Sequence, residues 1–239
     1  MNLKMLYTST FISLLFSSCL FWGNCVDGEG PLVEKKIKVE KFNQLTLSGS
    51  HVVYLSQGDT QEVRIKAQEN IIQLLNTTAE GGKWIIDFEK CIKVKEKVEF
   101  YVSVTDLKEI EIDGSGSIIG RTTLTADELE LEVNGSGEIV LDLAEVKELE
   151  SEINGSGDLN LSGNAKDHEM EINGSGDIKA FDLKTDKSSI EINGSGDVDV
   201  NVSFELKAEI NGSGDVSYKG DVKNINTEVN GSGDINQVK

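Results

Sequence analysis

The sequence predicts an all-β protein: a right-handed parallel β-helix wound in coils of about 20 residues and closed at its N-terminal end by a cap. Three observations carry this expectation. The triplet Gly-Ser-Gly begins at Gly114, Gly135, Gly155, Gly174, Gly194, Gly212 and Gly231, with gaps of 21, 20, 19, 20, 18 and 19 residues. Apolar residues alternate with polar ones on both sides of every triplet. A single proline, Pro31, beside 24 glycines fits neither a collagen repeat nor proline-rich disorder.

A period near 20 residues marks a solenoid, whose units bury their apolar faces only against their neighbours. Propeller blades need about 40 residues or more. Leucine-rich repeats share the shorter period, but here Asn154 directly follows Ile153 and no helical segment completes the unit. Two residues before the triplets stand Ile112, Val133, Ile153, Ile172, Ile192, Ile210 and Val229. Beyond them, after one acidic or polar residue, come Ile118, Ile139, Leu159, Ile178, Val198, Val216 and Ile235. Such period-two patterning on each side of a bend describes two short strands facing one core. A third, less regular strand is expected to close each coil, with the right-handed winding that parallel crossovers adopt.

The heptad "EINGSGD", present at 171–177 and 191–197, reads as the corner. Asparagine tolerates the left-handed region and glycine enters positive φ without steric cost. Stacking places like residues about 4.8 Å apart. Asn134, Asn154, Asn173, Asn193, Asn211 and Asn230 are therefore expected to form an amide ladder, which Asp113 interrupts at the first copy. The stretch "LTLSGSHVVYL" keeps the template loosely. Residues 31–105 are taken as a cap with degenerate first coils and a short helix near Glu69–Leu75, and 106–239 as the repeats. The last coil leaves an open edge able to pair with another chain, a route to self-association.

The start of the chain reads differently. Lys4 and the apolar "MLYTSTFISLLF" form a segment short for a membrane span. It ends in "SSC", so residues 1–18 are expected to be a signal peptide and Cys19 a lipidated mature N-terminus, with 19–30 as linker. Ordinary secretory cleavage is the alternative, and Cys25 is a weaker lipid candidate. Cys25 and Cys91 then remain as an even pair, either bridged or two free thiols. A bridge would contribute roughly 4 kcal/mol in the chain-entropy model.

A formal charge of −19 disfavours nucleic acid and anionic lipid surfaces and favours basic partners or cations. Only His51 and His168 could serve as imidazole ligands, too few for a zinc enzyme. Three residues before the triplets stand Glu111, Glu132, Glu152, Glu171, Glu191, Glu209 and Glu228, and two further back Glu109, Glu130, Glu150 and Glu169. Adjacent charges at strand spacing repel by about 0.9 kcal/mol even at the dielectric of water. Splayed rotamers, lysines, raised pKa values or bound cations must relieve this. Glu132, Glu152, Glu171, Glu191 and Glu209 are accordingly the candidate cation ligands, with calcium as the ion and no other cofactor expected. Glu138, Asp158, Asp177, Asp197, Asp215 and Asp234 follow the corners and are expected to accept backbone N–H bonds there.

"CVDGEGP", then "LSQGDTQEVRIKAQENIIQLLNT", an aromatic strand ending "DFEKC" and the GSG corners resemble, in that order, the head-GIN-domain family of putative auto-transporter adhesins. The resemblance covers essentially the whole chain after Cys19. It implies a β-helical protein of the Gram-negative envelope, brings no catalytic residues, and favours pairing of Cys25 with Cys91. The expectation is a non-enzymatic outer-membrane lipoprotein, facing the periplasm or the cell surface. It acts as an adhesin-like binding or structural module for a glycan or protein. A β-helical polysaccharide-degrading enzyme and a cation-dependent structural protein are the alternatives. Stretches 162–168, 182–189 and 218–224 are the candidate recognition loops.

Overall fold

The computed structural model describes residues 25–239. The signal segment and Cys19 lie outside the described residues. The chain is a parallel β-solenoid of about six turns. Successive coils are long runs of strand, among them Glu138–Gly155, Asp158–Gly174, Asp177–Gly194 and Val198–Gly212, each paired in parallel with the next. Their register keeps the triplets aligned, so Gly135, Gly155, Gly174, Gly194, Gly212 and Gly231 form one row.

The core is built from rows of like residues. Ile112, Val133, Ile153, Ile172, Ile192 and Ile210 are stacked and fully buried. Beyond the corner Ile118, Ile139, Leu159, Ile178, Val198 and Val216 form a second buried row. In the central coils the expected separate third strand is replaced by continuation of the same strand. Residues 162–168 and 182–189, expected to be loops, also stay within the ladder. Differences in coil length are taken up by register shifts, such as those between Leu143 and Val146 and between Ala180 and Lys184. A local bulge absorbs extra residues with less loss of backbone hydrogen bonding than an excursion into solvent.

The corner explains the triplet. Ser195 N–H donates to Gly174 O at 2.8 Å, and Ser156, Ser175, Ser213 and Ser232 do the same one coil apart. The backbones therefore meet at hydrogen-bond distance through the bend itself. Gly194 has φ +150°, and a Cβ there would lie 2.0 Å from Gly174 O. A Cβ on Gly196 would lie 2.1 Å from Gly176 O. Both glycines are required by close approach, whereas the serine side chain between them is exposed.

The asparagines line up beside this row. Asn154 Nδ2 donates to Asn134 Oδ1 at 3.1 Å, and Asn173, Asn193, Asn211 and Asn230 repeat the bond at 3.1–3.2 Å. The same nitrogen also donates to the glutamate two residues earlier, from Asn154 to Glu152 at 2.7 Å through Asn230 to Glu228 at 3.2 Å. Each amide thus uses both protons. Where Asp113 replaces asparagine, Asn134 donates instead to Glu132 and Glu111.

At the N-terminal end the space order of the coils departs from their chain order. Strand Gln44–Gly49 lies between Lys83–Ile86 and Glu109–Gly114, parallel to both. Val52–Gln57 lies likewise between Glu99–Val104 and Ser117–Gly120. Glu62–Gln68 then pairs antiparallel with Glu99–Val104, and Leu32–Ile37 antiparallel with Glu62–Gln68. These strands cover the end of the core, where Trp84, Phe100 and Ile65 are fully buried. The single short helix among the described residues spans Glu69–Ile72. A disulfide joins Cys25 to Cys91, beside the two-residue pairing of Val26–Asp27 with Ile92–Lys93.

One seam of the core is polar. His168 is 2% exposed and occupies the row of Leu129, Leu149 and Leu206. Its Nε2 meets Ser151 Oγ at 2.9 Å, while Nδ1 has no partner. Burial pushes its pKa down to about 3, so the ring is neutral.

Two outcomes follow from these contacts. Gly194→Ala should destabilise the protein by about 3 kcal/mol, because the obstacle is backbone, while Ser195→Ala should stay within about 0.5 kcal/mol; thermal denaturation of the two variants checks this. His168 is held neutral in the folded state and is protonated in the unfolded chain below its ordinary value of 6.5. Its contribution is therefore present above that value and is lost as pH falls toward about 3. The Ser151→Ala, His168→Leu double variant should show a visibly flatter decline of melting temperature over that window than the parent.

Candidate functional site

The corners leave three outward columns on one wall. The column three residues before the triplets, Glu111 through Glu228, is the one hydrogen-bonded to the asparagine ladder. Its members turn along the strand toward their amides. Among the described residues no three carboxylate, imidazole or thiol groups converge to hold a metal ion. Glu132, Glu152, Glu171, Glu191 and Glu209 therefore stand in line without forming a joint coordination shell.

The other two columns are different. Glu109, Glu130, Glu150, Glu169, Ser189 and Lys207 stack in register, and so do Glu128, Glu148, Asp167, Lys187 and Glu205. Between them runs the inward row containing Leu129, Leu149 and His168, whose strand backbone forms the floor. The two columns bound an open trough of about 580 Å³. Its centre is acidic and its ends are basic. Lys83 reaches from the cap to Glu109 Oε1 at 2.7 Å and Glu111 Oε2 at 2.8 Å, and Lys108 lines the same end. Lys187 and Lys207 line the other end, with Lys207 Nζ 3.4 Å from Glu205 Oε1.

In the middle, Glu128, Glu130, Glu148, Glu150, Asp167 and Glu169 have no ion-pair partner within 4.0 Å among the described residues. Burial raises the pKa of Glu130, and the charges of Glu109, Glu150 and Glu132 raise it further. One carboxylate oxygen of Asp167 is buried without a hydrogen-bond partner. At Glu111, by contrast, burial opposes ionisation, but bonds from Lys83, Thr46 and Asn134 outweigh it and hold the carboxyl below its ordinary value. Repulsion is thus relieved at the cap end and along the asparagine ladder, and left standing at the trough centre.

Of the six acidic residues after the corners, three accept backbone N–H bonds as expected, whereas Glu138 accepts from the Asn160 side chain and Asp158 from Lys179. Asp177 Oδ1 accepts the backbone N–H of Asp197, Asp197 Oδ1 that of Asp215, and Asp215 Oδ1 that of Asp234, at 2.8–3.2 Å. Two aromatic residues of the repeats are paired with lysines: Lys219 Nζ lies 5.2 Å from the Phe181 ring centre and Lys223 Nζ 5.9 Å from that of Phe204. Across the cap wall Arg64, Tyr101, Tyr54 and Arg121 stack in sequence, with the tyrosine rings 5.2 Å apart and Arg121 4.2 Å above Tyr54. They line a second hollow of about 420 Å³. Tyr101 donates to Glu99 at 2.6 Å, and that bond chiefly pushes its pKa up to about 12.

Sequence reasoning identified the column containing Glu130 and missed the one containing Glu128. The signal was present, since Glu128, Glu148, Asp167, Lys187 and Glu205 all stand seven residues before a triplet. It also missed Lys83 and the tyrosine–arginine stack, which belong to the non-repeating cap apart from Arg121.

The chain's likeness to known proteins agrees with this architecture. The family model of the putative auto-transporter adhesins, head GIN domain, matches residues 41–222. The crystal structure of a putative adhesin from Bacteroides fragilis NCTC 9343 superposes with a TM-score of 0.80 at 23% identity, covering 89% of this chain and 100% of that one. A putative lipid binding protein from Parabacteroides distasonis ATCC 8503 gives a TM-score of 0.74 at 27% identity, over 90% of this chain and 99% of that one. A putative adhesin from Parabacteroides merdae ATCC 43184 gives 0.70 at 26%, over 91% and 100%. No curated protein matches significantly. With three quarters of its length matched and the same solenoid in its structural neighbours, the chain belongs to the head GIN domain family of putative auto-transporter adhesins.

Proposed function

We propose that this chain is a non-enzymatic, adhesin-like binding module of a Gram-negative cell envelope, tethered through lipid on Cys19, whose acidic trough docks a basic protein segment. The observation that carries the reading is the unrelieved charge at the trough centre. Elsewhere on the same wall every coil hydrogen-bonds its outward carboxylate to an asparagine. Here five exposed glutamates and the half-buried Asp167 line one trough on a parallel sheet, with Glu130 raised above its ordinary pKa. A site that keeps repulsion in the free protein gains that free energy when a cationic partner arrives. The lysines at both ends set the length of the basic segment that fits.

Several features favour binding over catalysis. The trough carboxylates recur from coil to coil in like surroundings, whereas glycoside hydrolysis needs two carboxyl groups with distinct roles. His168, beside the floor, faces inward to Ser151 and is neutral. The family description as adhesins supports the same class, and the neighbours' Bacteroides and Parabacteroides origin supports an envelope location.

The reading predicts a trade between stability and binding. Because the folded-state pKa of Glu130 is raised, its favourable contribution is complete at low pH and disappears as pH rises through that value. At neutral pH its charge is therefore a cost to the fold. Glu130→Gln should raise the melting midpoint at pH 7 while weakening capture of a lysine-rich peptide. Titration of that peptide into the Glu130→Gln, Glu150→Gln, Glu169→Gln variant should show about tenfold lower affinity than into a control variant carrying the same charge change at Glu171, Glu191 and Glu209. Equal affinities would mean that net charge alone attracts the peptide, and the trough would lose its assignment. Release of sugar from cell-wall or capsular glycans, abolished by one carboxylate substitution, would replace this reading with the enzymatic one.

A further inference from the structure

The two ends of the solenoid are finished differently. At the cap end the outermost strand, Leu32–Ile37, pairs on one side only among the described residues, and it is dense in charge. Lys35 pairs with Glu69, Lys36 with Glu62, and Glu34 with Arg64. Charges of this kind blunt a free edge against pairing with another chain.

Among the described residues the strand Asn224–Gly231 at the other end also pairs on one side only, with Val198–Gly212. It lacks such protection. Its inward residues Ile225 and Val229 are 50% and 40% exposed, although Leu206 and Ile210, their partners one coil below, are completely buried. Its outward residues are Asn224, Asn226, Glu228 and Asn230, where the coil below carries Glu205, Lys207, Glu209 and Asn211. Three charges in that coil become one. The strand has no proline, lysine or register shift. An edge of this composition, ending a core in cross-section, is suited to be covered by a strand.

The sequence of the edge indicates which strand. Residues 224–230 read Asn-Ile-Asn-Thr-Glu-Val-Asn, which is close to the same in reverse. We propose that two copies of this chain join tail to tail through antiparallel pairing of Asn224–Gly231, about a two-fold axis at Thr227. In that register Thr227 faces Thr227 of the second copy, Ile225 faces Val229, Asn224 faces Asn230 and Asn226 faces Glu228. Facing residues of an antiparallel pair share one side of the sheet. Both apolar pairs therefore close over the joined cores, and both outward rows stay outward. No carboxylate opposes a carboxylate, and each Glu228 meets an amide, as Glu228 already meets Asn230 within its own strand. A two-fold interface requires this self-complementarity. The Leu32–Ile37 edge cannot supply it, because reversal sets its paired lysines and glutamate against a row already engaged in ion pairs.

Sedimentation of the full chain over a range of concentrations tests the association, and cysteine cross-linking tests the register. The chain should form a dimer whose dissociation constant rises about tenfold or more in Ile225→Lys, a substitution at a half-exposed position that leaves each protomer folded. Thr227→Cys should give a reducible covalent dimer, since facing Cα atoms lie about 4.5–5.5 Å apart, within disulfide reach. Asn224→Cys should give none, because its two copies would lie about 20 Å apart. A chain that stays monomeric at all concentrations, or a dimer insensitive to Ile225→Lys, overturns the proposal. Cross-linking through Asn224→Cys rather than Thr227→Cys overturns the register. None of these readouts depends on what occupies the trough.

Discussion

Close approach of backbone to backbone at the Gly-Ser-Gly bend is the constraint on which the solenoid rests. With Ser195 N–H bonded to Gly174 O at 2.8 Å and no room for a Cβ on either glycine, each coil has one height and one lateral position relative to the last. Everything at a fixed offset from the triplet is then forced into a column. Isoleucine over isoleucine gives a core without exposed ends along most of its length. Asparagine over asparagine gives a ladder that fills both amide protons. Glutamate over glutamate is the unfavourable product of the same geometry, and the wall shows two responses to it, hydrogen bonding in one column and open repulsion in the next.

Those two responses separate support from recognition. The asparagine-bound carboxylates lie beside the bend, where alignment is strictest and an amide is always two residues away. The trough carboxylates lie farther from the bend, where the side chains that repeat in step with them are other carboxylates rather than amides. Periodicity thus provides an internal partner near the corner and withholds it farther along the strand. An external cation is the remaining way to lower the energy of the second set.

Much of the repeat region was legible because a constant offset from a glycine triplet is itself a statement of register. The rows of Ile112 and Ile118, the asparagine ladder and the backbone bonds accepted by Asp177, Asp197 and Asp215 follow from that arithmetic. What was hidden lies where the offset fails. Residues 162–168 looked like loops because their alternation is broken, yet a bulge breaks alternation without breaking the ladder. Lys83 was hidden because the cap stacks out of chain order, with Gln44 between it and Glu109. Nothing in the linear spacing of Lys83 and Glu109 reports that adjacency. The tyrosine–arginine stack draws on three strands of the cap and on the bend after Ser117–Gly120, so no period points to it.

The bond between Cys25 and Cys91 bears on how the molecule would carry a mechanical load. A pull applied through the residues preceding Cys25 reaches Cys91 directly across the sulfurs, and bypasses the 66-residue span between them. Strands Leu32–Ile37, Gln44–Gly49 and Glu62–Gln68 all lie within that bypassed span. Those strands of the covering are therefore kept out of the line of force, which follows the chain from Cys91 into Glu99–Val104 and on to the coils. A pull at this end can be borne without first peeling off the outermost strands.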